Sequence, residues 1–509
     1  MTQERTVAVI LRRASRSVDR REQKGRAVIV ERAARWIHRP WGDQPGRPCE
    51  GASPARSLVV LCMAFFMVIL DTTIVNVALP SIGAGLHSPV TGLQWVVDAY
   101  TLVIAVLLLS AGSACDRLGA KRVFVVGLEA FTAGSGLCAL APGIDLLVGA
   151  RVLQGAGAAL VLPSSLAVIA SVFSDPKARA QAIGVWAAVA GVATALGPVA
   201  GGLLVDFAGW RSVFLVNLPI GAAALAMARR RLSDTPRRPA GLDLGGQVLA
   251  AGGLALVTFG LIEAGSAGWG SGVVVAAVGV GIVLGGGFVA TESRVAHPML
   301  PTRLFRSSRF SAANVVGLVL NFGIYGQVFV LSLYFQRARG YSALATGLAL
   351  LPFAAMTVAG PIGVGRLTAK VGARLPMVTG QLCAAAGSAL LAAAGTRTPY
   401  SYLVPGLVVL GIGMALVMPS MTAAVVQAAP GAQAGVASGV LNTSRQVGGA
   451  IGVAVLGSLV AEGHLVSGMH LGLGAVAVAF AFGALVAWRY GNEPCRGTTR
   501  RVGVSGGAR

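Results

Sequence analysis

Gly112-Ser113-Ala114-Cys115-Asp116-Arg117-Leu118-Gly119-Ala120-Lys121-Arg122 returns 253 residues later as Gly365-Arg366-Leu367-Thr368-Ala369-Lys370-Val371-Gly372-Ala373-Arg374. Glycine, basic residue, apolar residue, glycine, alanine and basic residue align in that order. Each copy joins two long apolar runs. A bilayer-crossing helix needs about 20 mainly apolar residues. Runs of that kind read at roughly 58–80, 92–113, 123–141, 146–170, 181–205, 213–229, 243–263, 271–291, 310–335, 344–365, 375–395, 402–428, 433–461 and 470–488, which is fourteen. The two copies follow the second and the tenth. Two six-span halves, 58–232 and 309–490, therefore flank two additional spans within 240–292. Similar parallel halves around a central axis are a transporter architecture. The expected fold is an all-α polytopic membrane protein of two six-helix bundles plus two extra central transmembrane helices.

Composition agrees with that reading. Of 509 residues, 55% are hydrophobic and only 12% charged, and 70 are glycine; the mean hydropathy is +0.74. A disordered chain needs the opposite balance, and 12% charge does not cover a soluble surface of this size. Glycine lets membrane helices approach closely. The net charge of +22 invites a nucleic-acid partner, but position argues against one. Thirteen of the 41 basic residues lie in 1–57, and with the N-terminus inside, 22 more fall on cytoplasmic loops and the C-terminal tail against 4 on external loops. That asymmetry is the positive-inside rule and places both termini in the cytoplasm. No nucleic-acid-binding module is present. Residues 1–57 read as a basic, disordered cytoplasmic tail, with no apolar stretch long enough for a signal sequence. Residues 491–509 read as a second tail. Cys49, Cys62, Cys115, Cys138, Cys383 and Cys495 form no CxxC pair and read as small hydrophobes where they fall in spans.

Further motifs occur in a fixed order. Span 1 carries Leu70-Asp71-Thr72-Thr73-Ile74-Val75-Asn76-Val77-Ala78-Leu79-Pro80, and span 4 carries Arg151-Val152-Leu153-Gln154-Gly155-Ala156-Gly157. Span 5 carries Gly191-Val192-Ala193-Thr194-Ala195-Leu196-Gly197-Pro198-Val199-Ala200-Gly201-Gly202. Trp210-Arg211 and Asn217-Leu218-Pro219 follow, and span 13 holds Asn442-Thr443-Ser444-Arg445-Gln446-Val447-Gly448-Gly449. With the Gly112–Arg122 loop, these six motifs resemble the major facilitator superfamily over about 58–490. More narrowly they resemble its 14-helix drug:proton antiporters of the EmrB/QacA type. Ala120 departs from the family loop, where a basic residue is usual.

The resemblance implies that Gly112, Asp116, Arg117 and Gly119 form a conformational latch, made in one rocking state only. Glycines there permit tight turns and close backbone approach. Ala369 stands at the matching place in the second half, so a latch there is weaker. The alternative for Asp116 is a solvated loop charge. Gly191, Gly197, Pro198, Gly201 and Gly202 match an antiporter motif: a close-packed, kinked stripe within the first bundle that limits leak. The alternative is ordinary glycine packing.

Charges inside a bilayer are costly and default to functional hypotheses. Asp71 lies deep in span 1. Arg151 is about 8 Å into span 4 from the outside, Glu129 about 9 Å into span 3 from the inside, and Asp98 equally deep in span 2 from the outside, at 1.5 Å per residue. Arg445 is mid-span 13. Asp145, Asp206, Glu263 and Glu462 map to external ends and read as solvated. A carboxylate that holds a proton in an apolar site and yields it beside an arginine suits proton coupling. Asp71 is the main coupling candidate, against a structural bond to Thr72 or Thr73. Arg151 is its modulator, against snorkelling to the interface. Glu129 reads as a second titrating acid, a cation-recognising group or a lipid-edge acid. Asp98 reads as a further coupling acid or as one facing external water.

Residues 310–488 contain one acid, Glu462. Asn321, Tyr325, Gln327 and Arg445 are the candidate substrate pathway, with Asn314, Tyr334 and Gln427 nearby in sequence. Apolar walls with scattered amides suit large amphipathic molecules. The functional expectation is proton-coupled efflux of drugs or hydrophobic natural products across the plasma membrane by a monomer. Its partners are a drug-like small molecule, protons and the lipid bilayer, with no nucleic acid. Alternatives are a transporter of one endogenous metabolite and, remotely, a non-transporting sensor. No catalytic cluster, metal-ligand set or Walker sequence is present, so no enzyme activity, metal or cofactor is expected, with the proton gradient as energy source.

Overall fold

Apolar runs without a water-facing stripe fold as long helices, because backbone groups in hydrocarbon must find their partners within the chain. The computed structural model describes residues 53–233, 235, 243–295, 300, 302–429, 433–460 and 465–491. Among them there is no strand, and fourteen long helices follow one another. They are α1 (Pro54–Leu86), α2 (Val90–Leu118), α3 (Ala120–Leu140), α4 (Ile144–Val172), α5 (Pro176–Ala208), α6 (Asn217–Arg231) and α7 (Leu244–Ala267). The rest are α8 (Gly272–Glu292), α9 (Ser308–Leu333), α10 (Leu351–Val371), α11 (Arg374–Ala392), α12 (Tyr400–Ala428), α13 (Ala434–Leu459) and α14 (Leu465–Tyr490). Twelve spans among the described residues are long and apolar enough to cross a membrane; α10 and α13 stand outside that set, at the tenth and thirteenth expected positions. α13 is diluted by the polar run Asn442–Gln446.

The helices differ from the expected spans in places. α1 starts at Pro54, inside the stretch expected to be tail, and continues through Pro80 to Leu86. The remainder of the 1–57 tail, up to residue 52, and of the 491–509 tail, from residue 492, lies outside the described residues. The sixth span is split into a single turn, Ser212–Leu215, and α6. The tenth is broken at Leu350 between a short helix, Ala343–Ala349, and α10. Ser271, Ser307 and Asp175 cap α8, α9 and α5 by accepting from the backbone N–H three residues on.

The repeat is visible in the backbone. Gly119 joins α2 to α3 at φ +91°, and Gly372 joins α10 to α11 at φ +79°, a region that side chains disfavour. Gly112 and Gly365, expected to sit at close approaches, have no atom within 4 Å of a Cβ built on them.

The halves meet at the end poor in basic residues. Gln94 of α2 donates to Val453 O and Ala454 O of α13, at 3.3 and 2.8 Å. Gln336 donates to Val77 O of α1 at 2.9 Å. A Cβ on Gly202 of α5 would lie 2.5 Å from Ala343 O, and one on Gly347 would meet Pro198 O. These contacts close the end poor in basic residues. Toward the basic end, Ile183, Gly184, Ala187 and Ala188 of α5 are exposed. α7 and α8 pack on each other through Gly253 and Gly281, and α7 also lies against both α2 and α13.

Candidate functional site

Two glycines set the geometry around α4. A Cβ on Gly155 would be 2.7 Å from Tyr100 O, so α4 lies close on α2. A Cβ on Gly134 would be 2.8 Å from the Gln154 nitrogen, so α3 lies close on α4. Small residues allow such approaches. The first brings Arg151 to α2, where its Nε donates to Val96 O at 2.9 Å and its guanidinium stacks over Tyr100, 4.1 Å from the ring centroid. The second places Ser135 beside Gln154.

Asp71 stands at the centre, 0% exposed. Its Oδ2 accepts from Arg151 at 2.5 Å, and its Oδ1 accepts from Gln154 at 2.8 Å and from Asn217 at 2.9 Å. Arg151 also donates to Gln154 Oε1 at 2.6 Å. Gln154 and Asn217 both donate to Ser135 Oγ, at 2.7 and 3.2 Å. Five helices, α1, α2, α3, α4 and α6, thus share one buried network around one ion pair. Arg151 is 1% exposed and does not snorkel. The neighbouring threonines are not Asp71's partners: Thr72 donates to Val68 O, and Thr73 to Ile69 O and Leu70 O. Such a network is costly to leave half-made.

The other two coupling candidates lie elsewhere. Glu129 is not in the bundle interior; it pairs with Arg229 of α6 at 2.5 Å, the two side chains 41% and 61% exposed. The pair lines an open cleft of about 320 Å³ at the basic end with Lys121 and Arg122. Asp98 does not face external water. It is 0% exposed, and neither carboxyl oxygen has a hydrogen-bond partner. Asp206 is exposed, as expected of an acid at a helix end, and it also accepts from the backbone N–H groups of Ala343 and Leu344 in the opposite half, at 3.1 and 3.0 Å.

The glycine motif of α5 divides likewise. Gly197 and Gly201 press on Thr73 and Ile74 of α1, while Gly202 presses on the short helix at Ala343 and Leu344. Its outer part is thus a seam between the halves and not only a packing stripe within the first. Gly191 has open space around it. Asp116 and Arg117 are exposed, and Asp116 makes no ion pair among the described residues.

In the second half, Arg445 donates to Asn321 Oδ1 at 3.4 Å and to Asn442 Oδ1 at 3.2 Å. The Tyr325 ring lies against Gly449, 3.2 Å from a Cβ built there. Gln327 parts from this group: fully buried, it accepts from Ser388 of α11 at 3.1 Å.

A model of the Major Facilitator Superfamily matches residues 61–453. The chain belongs to that superfamily. It is 39% identical over 443 residues to a methylenomycin A resistance protein of Streptomyces coelicolor, covering 86% of this chain and 93% of that one. It is 38% identical over 410 residues to the multidrug resistance protein Stp of Mycobacterium tuberculosis, covering 80% and 75%. Among solved structures it is similar to a POT family transporter crystallised with 5-aminolevulinic acid. That match has a TM-score of 0.66 at 15% identity and covers 85% of this chain and 95% of that one. At that identity the last comparison speaks for the fold alone.

Reading the sequence by its charges found Asp71 and Arg151 but not the neutral members of the network, Gln154, Ser135, Asn217 and Tyr100. Gln154 and Asn217 do stand in the ordered motifs of this superfamily member. An amide within an apolar run is the signal that was there, since a buried amide must find partners.

Proposed function

We propose that this facilitator exports drugs or hydrophobic and amphipathic natural products across the plasma membrane, in exchange for protons, as a monomer with both termini in the cytoplasm and no catalytic activity of its own. The observation that carries the proton part is the buried Asp71–Arg151 ion pair with its supporting amides. The resistance proteins above support the substrate class. A proton arriving from outside neutralises Asp71 and takes away the charge that holds Arg151. Arg151 then keeps only Val96 O, Gln154 and the Tyr100 face. The α1–α4 contact loosens, and the halves are free to rock. Proton loss toward the inside re-forms the pair. Arg445, its partner Asn321 and Tyr325, in the second half, offer cationic, amide and phenol contacts to a bound molecule.

The test uses purified protein in proteoliposomes with an imposed pH gradient and methylenomycin A as the first probe. Substrate moving against its own gradient, toward the acidic side and with proton counterflow, is the expected result. Uptake that is indifferent to the pH gradient counts against exchange.

A further inference from the structure

Asp98 stands outside the Asp71 network, although it lies on the same helix as Val96 and Tyr100. Its position follows from its neighbours along α2. Gln94, four residues earlier, reaches the carbonyls of Val453 and Ala454 on α13 and fills the space over Gly457. Trp95, three residues earlier, meets Phe259 of α7, with ring centroids 6.4 Å apart. Residues three and four apart share a helix face. Asp98 therefore sits one turn inward of Gln94, where α2, α7 and α13 meet, at the junction of both halves and the additional helix pair. It is fully buried there, with both oxygens unpartnered, and the Gln94 Oε1 and Thr258 Oγ1 atoms are orphaned as well.

Among the described residues, none of the helices with the main contacts to α2 supplies a counter-charge. On α4, Arg151 is committed to Asp71, Val96 O and Gln154, and Asp145 is in the first turn. On α13 the one charged residue is Arg445, turned to Asn321 and Asn442. On α7 it is Glu263, near the outer end, in contact with Ser266. On α3, Lys121 and Arg122 are at the inner end, Glu129 is paired with Arg229, and Cys138 faces Gln154.

We propose that Asp98 is a second proton-binding site, separate from Asp71, and that its proton licenses closure of the outer seam. An isolated carboxylate is not accommodated in such a junction, whereas the neutral acid is. Opening the seam between α2 and α13 lets external water reach Asp98, where it loses its proton to that water; closing requires that a proton be taken back from the same side. The proton is bound and released externally, so it sets the gate without adding to the exchange ratio. α7 has a purpose in this scheme: it walls the junction from lipid. The proposal rests on the proton-coupled reading above but uses a different carboxyl group.

The test is the distance between spin labels at Leu140 and Thr396, exposed outer ends of the two halves, in the full chain in nanodiscs with the six native cysteines replaced. Working in the Asp71→Asn background removes the contribution of the first site. There the open-to-closed ratio is expected to rise about tenfold per pH unit above the titration of one acid, the slope for one linked proton. Adding Asp98→Asn should flatten that dependence with the seam closed, and Asp98→Glu should restore it. A flat response in Asp71→Asn alone, an unchanged slope after adding Asp98→Asn, or opening that follows sodium instead of pH overturns the proposal. The first of these needs no Asp98 variant to fold. If Asp71→Asn instead still drives uphill export, it is the role of Asp71 that fails, and the gate measurement stands apart from it.

Discussion

Replacing Arg151 with methionine asks whether charge holds α1 to α4. The guanidinium makes three hydrogen bonds, to Val96 O at 2.9 Å, Asp71 at 2.5 Å and Gln154 at 2.6 Å, and it covers the Tyr100 ring. Methionine keeps much of the volume and none of these. Breaking a buried ion pair by removing one partner costs about 3–5 kcal/mol, because the other charge is left uncompensated. Asp71 would still accept from Gln154 and Asn217, so the lower end, about 3 kcal/mol, is expected. Asp71→Asn removes the other charge. In the double variant no unpaired charge remains, so its cost should fall short of the sum of the single costs by about 2 kcal/mol. Reversible unfolding in mixed detergent micelles measures all four corners of this cycle. Additivity within about 0.5 kcal/mol would show that the pair is not coupled and would refute the reasoning.

Gly202→Leu should disturb the outer seam, since a Cβ there already falls 2.5 Å from Ala343 O. The expected outcome is a shift toward the outward-open state, read as a larger distance between labels at Leu140 and Thr396, and Gly191→Leu, in open space, should leave that distance unchanged. Glu129→Gln breaks an ion pair whose side chains are 41% and 61% exposed. Exposed pairs contribute below about 1 kcal/mol, so stability and uphill export should change little; a collapse of pH-driven export would return Glu129 to the coupling machinery.

Most of the helix order was legible because the bilayer demands long apolar runs. The repeated Gly119 and Gly372 turns were legible for a related reason, since few other residues tolerate their backbone angles. Asp71 and Arg151 stood out as charges where charge is expensive. What stayed hidden depends on which helices become neighbours. Asp98 stayed open between a coupling acid and one facing external water because its depth along α2 was known and its coverage by α7 and α13 was not. The contact of the exposed Asp206 with the opposite half stayed hidden because its partners are backbone N–H groups. The glycine stripe of α5 looked uniform, yet Gly191 and Gly202 differ completely in their surroundings. They lie at different heights along α5, and no local pattern records which of them the opposite half will cover.

The central claim is that a proton on Asp71 drives export, and one measurement addresses it directly. Proteoliposomes containing Asp71→Asn, which keeps size and hydrogen-bonding capacity but has no titrating proton, are loaded with substrate and given the gradient that drives the wild-type protein uphill. Uphill movement is predicted to vanish while substrate binding and downhill exchange persist. Uphill export at the wild-type rate under the same gradient would contradict the account.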